Sequence, residues 1–175
     1  MLTFLSMDAE GFCSIESLHL LLNTQCTILI KAPNGKGKST ILSALVWAIY
    51  GKNLKGVSEV NTWKQVRPKD YKGTRVQVYF QKDSHTYKII RCQKYEEVLD
   101  DGAKGKDRLI FIKDGDVIDI KGKGKIQEAI NREIGLSYTL FMNSIMFGQG
   151  IRRLIQESNS DKKKIFEEVF DLEFL

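Results

Sequence analysis

The sequence lacks the clustered residues that bind structural metals. It contains three cysteines and two histidines in 175 residues. Cys13, Cys26 and Cys92 are scattered, with no C-x-x-C pair and no cluster of histidines near them. Structural zinc sites need four such ligands at short spacings. We therefore expect no zinc site and three reduced, structural cysteines.

Long apolar runs are absent as well. No run approaches the roughly 18 residues of a membrane span, and the N-terminus has no basic region ahead of an apolar one. These absences predict an intracellular protein with no membrane partner. The 42% hydrophobic and 28% charged residues are ordinary for one globular domain, or for one large piece of a bigger one. A net charge of +5 is only weak support for a polyanionic partner.

The spacing of the apolar residues predicts an α/β chain. Strands are indicated at residues 1–7, 17–22 and 26–31, the last of the buried type, and hairpins at 75–92 and 108–120. A helix that is apolar on nearly every side is predicted from Ser39 to Tyr50, ending at Gly51. Residues 52–73 are predicted to be a polar excursion, 100–106 a loop, 125–134 and 161–174 amphipathic helices, and 141–147 a mainly apolar segment.

The stretch A-P-N-G-K-G-K-S-T, residues 32–40, fits the P-loop pattern of Gly, four residues and Gly-Lys-[Ser/Thr], with Ala32 at the first glycine. Gly35 and Gly37 allow the backbone to turn, so that successive N–H groups face phosphate oxygens. The helix that follows adds the partial positive charge of its N-terminus. Because a buried strand is predicted before this stretch and a buried helix after it, we expect a nucleotide-binding loop.

Individual residues of this loop are predicted to have different roles. We expect Lys38 to reach the β- and γ-phosphates, the Ser39 hydroxyl to ligate Mg²⁺, and Thr40 to contact the α-phosphate. The other members of the predicted ATP-binding set are Asn34, Gly35, Lys36 and Gly37. Lys36 is interpreted as a solvated lysine that adds to the local positive field.

Four further segments carry a family resemblance. They are W-A-I-Y-G (47–51), the strands G-T-R-V-Q-V-Y-F and H-T-Y-K-I-I-R (73–80 and 85–91), F-M-N-S-I-M-F-G-Q-G-I-R-R-L-I (141–155), and the acidic-aromatic ending that begins D-K-K-K-I-F (161–175). Together with the P-loop they resemble, in family order, the SbcC and Rad-fifty family of SMC-like DNA repair ATPases. The segment 141–155 resembles that family's Q-loop.

The resemblance implies the N-terminal lobe of an ABC-type ATPase head, a mixed β-sheet with a P-loop and flanking helices. Residues 1–157 would form this half of the head, and residues 158–175 would begin a helix leading to a coiled coil. By resemblance, Gln149 is the Q-loop glutamine; it ligates Mg²⁺ and couples the nucleotide to lobe rotation. Lys38 and Gln149 are thus the expected catalytic residues.

The resemblance also implies a set of partners. The C-terminal half of the same ATPase would supply the signature motif, the Walker B carboxylates and a switch histidine, and ATP would be sandwiched between two heads. The closed dimer would bind double-stranded DNA without sequence preference and regulate a nuclease of SbcD or Mre-eleven type. Some of the basic clusters would then face DNA; these clusters are Lys121, Lys123 and Lys125, Arg152 and Arg153, and Lys162 to Lys164.

One matched segment departs from the family pattern. G-F-C-S, residues 11–14, matches the family's N-F-x-S near the nucleotide base, but Cys13 stands where a basic residue is often found.

Part of the chemistry of hydrolysis is missing from the sequence. The one run that resembles a Walker B strand, Leu109–Ile112, is followed by Lys113, Asp114 and Gly115, which favours a hairpin instead. No S-G-G-[Q/E] signature occurs. We therefore expect the chain alone to bind ATP weakly and not to hydrolyse it. Two alternatives stay open: a head lobe of another SMC-like protein, of condensin, RecF or RecN type, and a small self-contained P-loop kinase.

Overall fold

The structure is a computed structural model that describes residues 1–23, 27–60, 63–66, 71–146 and 158–169. In chain order its elements are β1 (Leu2–Phe12), β2 (Ile15–Leu21), α1 (Lys38–Tyr50), α2 (Trp63–Val66), β3 (Thr74–Lys82), β4 (His85–Gln93), β5 (Tyr95–Val98), β6 (Lys104–Lys106), β7 (Leu109–Lys113), β8 (Asp116–Val117), α3 (Lys123–Ile134), α4 (Tyr138–Ser144) and α5 (Asn159–Val169). The chain divides into two compact units, Met1–Ile134 and Gly135–Leu175.

The first unit is built on a six-stranded sheet of order β2-β1-β3-β4-β7-β8, and β5 and β6 form a separate pair. All pairings described are antiparallel, and two-residue turns join β1 to β2, β3 to β4 and β7 to β8. Asp114 and Gly115, with φ of 51° and 93°, form the turn between β7 and β8, as the Asp-Gly pair predicts. The predicted α/β class is confirmed, with an antiparallel sheet among the described strands.

One face of this sheet is covered by helices. Alternation along β3 and β4 puts Val78, Phe80, Tyr87 and Ile89 on the same face, and all are buried. The Tyr87 ring stacks on Phe80 with centroids 4.8 Å apart, and its hydroxyl donates to Glu133 of α3 at 2.9 Å. The helix α1 packs on β1, β3 and β4, and α3 packs on β7 and α1. This face therefore forms the main core.

The opposite face holds a smaller apolar cluster, which consists of Ile90, Cys92, Tyr95, Leu99 and Ile110. Residues 100–106, predicted to be a loop, include the strand β6, so that prediction is wrong in part. The reason is local: a Cβ on Gly105 would lie 2.6 Å from Cδ1 of Tyr95, so only glycine lets β6 approach the Tyr95 ring. Burial of the Tyr95 ring against Gly105 therefore favours pairing of β6 with β5.

The predicted helices of the first unit are confirmed with small shifts of their bounds. Gly51 ends α1 in the left-handed region, with φ of 70°, and its N–H donates to the Trp47 carbonyl at 2.8 Å. The helix α3 begins two residues earlier than predicted, at Lys123. The second strand of the 108–120 hairpin is shorter than predicted, because β8 ends at Val117.

The predicted buried strand at 26–31 is wrong within the described residues. Residues 27–31 form no strand there, and Ile28, Leu29 and Ile30 are 41%, 73% and 37% exposed. An apolar run becomes a buried strand only where neighbouring strands pair with it and helices cover it. In the part of the chain that the structure describes, no strand pairs with these residues.

The second unit contains two described helices. Ser137 caps α4 by accepting the N–H of Leu140 at 3.2 Å, and Phe141 and Met142 of this helix are buried. In α5, Phe166 is 48% exposed. The predicted boundary at residue 157 lies outside the described residues and stays a prediction. None of the helices in the described ranges is both long and apolar enough to cross a bilayer.

Candidate functional site

The loop ahead of α1 has the backbone geometry that its glycines predict. Gly35 and Gly37 have φ of 79° and 86°, in the left-handed region that favours glycine. The N–H of Lys36 donates to the Pro33 carbonyl at 3.3 Å, which closes a tight turn. Gly37 is the N-cap residue of α1. The predicted loop therefore leads directly into the N-terminus of a 13-residue helix.

The side chain of Lys38 folds back over this loop. Its Nζ donates to the carbonyl oxygens of Ala32 at 2.6 Å and Pro33 at 3.0 Å. These two bonds hold the ammonium against the start of the loop and stabilise its turned form. The Lys38 ammonium therefore lies at the loop, and its contact with the β- and γ-phosphates stays a prediction.

The N-terminus of α1 suits an anion. The amides of Thr40 and Ile41 donate to the Gly37 carbonyl at 3.0 and 3.3 Å, whereas those of Lys38 and Ser39 lie in the first turn, where the helix itself offers no acceptor. No acidic residue occupies that turn. A helix N-terminus with such amides attracts phosphate groups. The loop can therefore hold a negative ligand at this end of α1.

The space beside the loop is accessible. A Cβ added at Gly35 would meet nothing within 4 Å. Most of the predicted ligand-binding residues are exposed, namely Asn34, Gly35, Lys36 and Ser39. The others, Gly37, Lys38 and Thr40, are half-buried. The exposed Ser39 hydroxyl is a hard oxygen ligand of the kind Mg²⁺ prefers. The residues present therefore fit a magnesium-bound polyphosphate.

The turn between β1 and β2 lies against the same loop. A Cβ at Gly37 would come within 2.8 Å of Oγ of Ser14. Close backbone approach fixes this turn, since a Cβ at Gly11 would lie 2.1 Å from the carbonyl oxygen of Gly73. Thr74 Oγ1 also donates to the Gly11 carbonyl at 2.7 Å. The segment 11–14, predicted to lie near the nucleotide, is thus adjacent to the loop.

At its other end α1 is held by a residue that the sequence analysis missed. Arg91 of β4 donates from Nε to the Ala48 carbonyl at 3.0 Å and from Nη2 to the Ile49 carbonyl at 3.2 Å. Its Nη2 also donates to Oε1 of Gln127 in α3, and Gln127 Nε2 donates to the same Ile49 carbonyl at 2.9 Å. Burial lowers the pKa of Arg91 to about 10, so it remains charged at neutral pH. The sequence did carry a signal for a buried Arg91, because the alternation of β4 places it on the same face as the buried Tyr87 and Ile89.

An open cavity of about 370 Å³ borders this contact. Arg91, Lys94 and Lys123 line it together with Glu59 and Asp107, so its charges are mixed. Its mixed charges give a weaker positive field than a uniformly basic cavity would have.

The remaining predicted site residues fall into two groups. Gln149, Arg152 and Arg153 lie outside the described residues. Lys121, Lys123, Lys125 and Lys163 are described and exposed, and Lys162 is half-buried.

Asp114, at the end of the run that resembles a Walker B strand, is part of a hairpin turn as expected. It accepts the Thr86 N–H at 2.9 Å and pairs with His85 at 2.6 Å. The Asp114 carboxylate therefore stabilises the hairpin turn through these two contacts.

The fold is that of an SMC-like ATPase head. A solved structure titled "Structural biochemistry of ATP-driven dimerization and DNA stimulated activation of SMC ATPases" superposes with a TM-score of 0.52 at 16% identity, covering 95% of this chain and 99% of that one. At that identity the match shows the fold alone. The antiparallel sheet, the P-loop and the helices that flank them thus define the N-terminal lobe of such a head.

The chain belongs to the AAA domain family (AAA_23), whose family model matches residues 6–174. It is 27% identical, over 98% of its length, to the "Probable DNA double-strand break repair Rad50 ATPase" of Aquifex aeolicus and 23%, over 93%, to the "DNA double-strand break repair Rad50 ATPase" of Methanopyrus kandleri. It is also 26% identical, over 82%, to "Exonuclease subunit 2" of Escherichia phage RB69. The chain spans 17%, 18% and 24% of these relatives. The predicted resemblance to Rad50-type, SMC-like ATPases is confirmed.

Proposed function

We propose that this chain is the ATP-binding N-terminal lobe of an SbcC/Rad50-like ATPase that acts in double-strand-break repair or recombination. The observation that carries the proposal is the loop at residues 32–40. Two glycines with positive φ turn its backbone, Lys38 is held over it, and it opens onto the N-terminus of α1. In this proposal residues 1–157 form the head lobe and residues 158–175 begin the helix toward a coiled coil.

Within the loop, the residues have distinct roles. Lys38 neutralises the β- and γ-phosphates, Thr40 contacts the α-phosphate, and the backbone from Asn34 to Gly37 surrounds the phosphate oxygens. Ser39, with Gln149 from the Q-loop, would hold Mg²⁺. When bound, Mg²⁺ neutralises charge on the phosphates. We expect Gln149 to couple ATP binding to movement of the lobe and to contribute little to ATP affinity.

A C-terminal half of the same ATPase would complete the head. The exposed run at Ile28–Ile30 supports this, because an apolar segment directly ahead of a P-loop gains free energy when strands pair with it and cover it. That half would also bring the Walker B carboxylates and the signature loop. Attacking water is positioned only with such carboxylates, and the charge of the γ-phosphate is stabilised by the opposing head.

Double-stranded DNA and a nuclease of SbcD or Mre-eleven type are the proposed partners. The names of the relatives refer to double-strand break repair and to an exonuclease subunit. The exposed Lys121, Lys123 and Lys125 offer a surface for phosphate contacts that do not read sequence.

Phosphate release tests the proposal. The chain alone should hydrolyse MgATP no faster than background. Addition of the C-terminal half, in trans or through a short linker, should restore slow turnover whose specific rate rises with protein concentration, since the active site forms between two heads. Robust hydrolysis by the chain alone, abolished in Lys38→Ala so that contamination is excluded, would contradict the proposal and favour a self-contained enzyme.

A further inference from the structure

Among the described residues, the helix that carries the phosphate-binding loop is buried mainly at its C-terminal end. Residues Ala44–Tyr50 of α1 are buried, whereas its first six residues are half-buried or exposed. No side chain in the described ranges caps its N-terminus. A 13-residue helix is a rod about 20 Å long. The position of its loop end therefore depends on how its C-terminal end is held.

That C-terminal end is held by Arg91. The last turn of α1 contains no basic residue of its own, and a cation there is favourable because the helix dipole ends in unpaired carbonyl groups. Arg91 supplies the cation from β4 and bonds to two carbonyls, while Gln127 bonds to one of them and to Arg91. Hydrogen bonds are directional, so this contact fixes both the axial position and the rotation of α1 more sharply than apolar packing would.

A second connection runs from Arg91 to the loop. The Arg91 guanidinium lies 5.9 Å from the centroid of the Trp47 ring, and Trp47 lies 5.5 Å from Phe12. Phe12 is fully buried and precedes the turn whose Ser14 lies against Gly37. Both connections, one through α1 and one through the β1–β2 turn, therefore end at Gly37.

We infer that Arg91 is a positioning residue for the phosphate-binding loop, acting through α1 and through Trp47, with Gln127 as its partner. The inference rests on the proposed function, since it concerns the affinity of that loop for MgATP. Arg91 lies at the end of α1 away from the loop, so its proposed action on the nucleotide is indirect. It sets the position of the first turn of α1 relative to the β1–β2 turn.

The test compares substitutions at adjacent residues on opposite faces of β4. Arg91→Met keeps the length of the side chain but removes its charge and donors. Ile90→Val and Ile90→Ala are matched controls, because Ile90 belongs to the apolar cluster on the other face and the two variants bracket the expected loss of stability. Each 175-residue variant is titrated with MgATP, and exchange of the amide hydrogens of residues 35–41 is measured without nucleotide.

Arg91→Met should weaken MgATP binding about fivefold to tenfold, which lies within the range of energetic coupling through packed networks. It should also speed amide exchange at residues 35–41. Arg91→Lys should recover part of both effects, because an ammonium can still donate to a carbonyl at the end of α1. The Ile90 variants should change neither quantity when compared at equal fractions of folded protein. If Arg91→Met does not fold, Gln127→Met carries the test, with a smaller loss expected.

Two results separate the possible failures. Wild-type chain that binds no MgATP would overturn the proposed function, and the role of Arg91 with it. Suppose that the wild-type chain binds MgATP and that Lys38→Ala abolishes this binding. The positioning role alone would then be overturned if Arg91→Met bound MgATP normally, or if Ile90→Ala lost as much MgATP affinity as Arg91→Met.

Discussion

Replacement of Lys38 by alanine is the sharpest perturbation of the proposed site. In the structure the Lys38 ammonium bonds to two carbonyls of its own loop, at 2.6 and 3.0 Å. The substitution removes the cation and these two bonds but leaves the glycines and the amides of α1 in place. Affinity for phosphate should therefore fall without loss of the fold.

The size of the loss follows from the bonds involved. A hydrogen bond to a charged group contributes about 1.5–3 kcal/mol. On binding, the ammonium exchanges carbonyl partners for phosphate oxygens, so the net loss should lie near the lower end, at about 10- to 50-fold in affinity. The free energy of unfolding should change by about 1 kcal/mol or less, because the loop is largely exposed.

Lys36→Ala is the matched control. Lys36 is an exposed residue of the same loop, and its loss changes the net charge equally. Solvent and salt screen such a charge, so its removal should reduce affinity by no more than about twofold. Titration of a fluorescent ATP analogue in Mg²⁺ measures all three proteins. Equal affinities for Lys38→Ala and Lys36→Ala would refute the assignment of Lys38 as the phosphate-binding cation.

Three further predictions follow from described residues. The Thr86 N–H and His85 hold the pKa of Asp114 below its ordinary value, so the carboxylate stabilises the fold above about pH 4, and this stabilisation is lost as pH falls through the lowered pKa. In Asp114→Asn the denaturant midpoint should therefore decline less between pH 5 and 2.5, which is about the carboxyl range. A decline equal to that of the wild type would contradict this prediction. Burial raises the pKa of Cys92 to about 11, so peptide mass spectrometry should find Cys92 unlabelled by a thiol reagent at neutral pH. The half-buried Cys13 should be labelled more slowly when MgATP is present. A labelling rate of Cys13 that does not change with MgATP would contradict a position of the β1–β2 turn beside the site. DNA binding by the complete ATP-bound head, measured by fluorescence polarisation, should fall steeply between about 50 and 200 mM salt, and a flat response would contradict the lysine surface.

The local features of this fold were predictable from sequence. The phosphate loop and the end of α1 at Gly51 depend on glycines that take positive φ. The hairpin at Asp114 depends on turn chemistry within a few residues. Each of these signals is complete within a short segment, so the sequence alone was sufficient.

Features that depend on distant partners were not predictable. The apolar run at Ile28–Ile30 was predicted to be buried, yet it is exposed, because pairing depends on strands elsewhere. Arg91 meets carbonyls 42 and 43 residues away in sequence. Its alternation with Ile89 indicated a buried position, but only the folded chain shows that the end of α1 is its partner.

The most direct test of the central claim is a map of amide chemical shifts during titration of the labelled chain with MgATP. We expect the largest shifts at Gly35, Gly37, Lys38 and Ser39, because their amides line the proposed phosphate site, and much smaller shifts with MgAMP. Residues of the β5–β6 pair should not move. Shifts centred instead on the cavity beside Arg91 and Lys123, or equal responses to the two nucleotides, would contradict a phosphate-binding loop at residues 32–40.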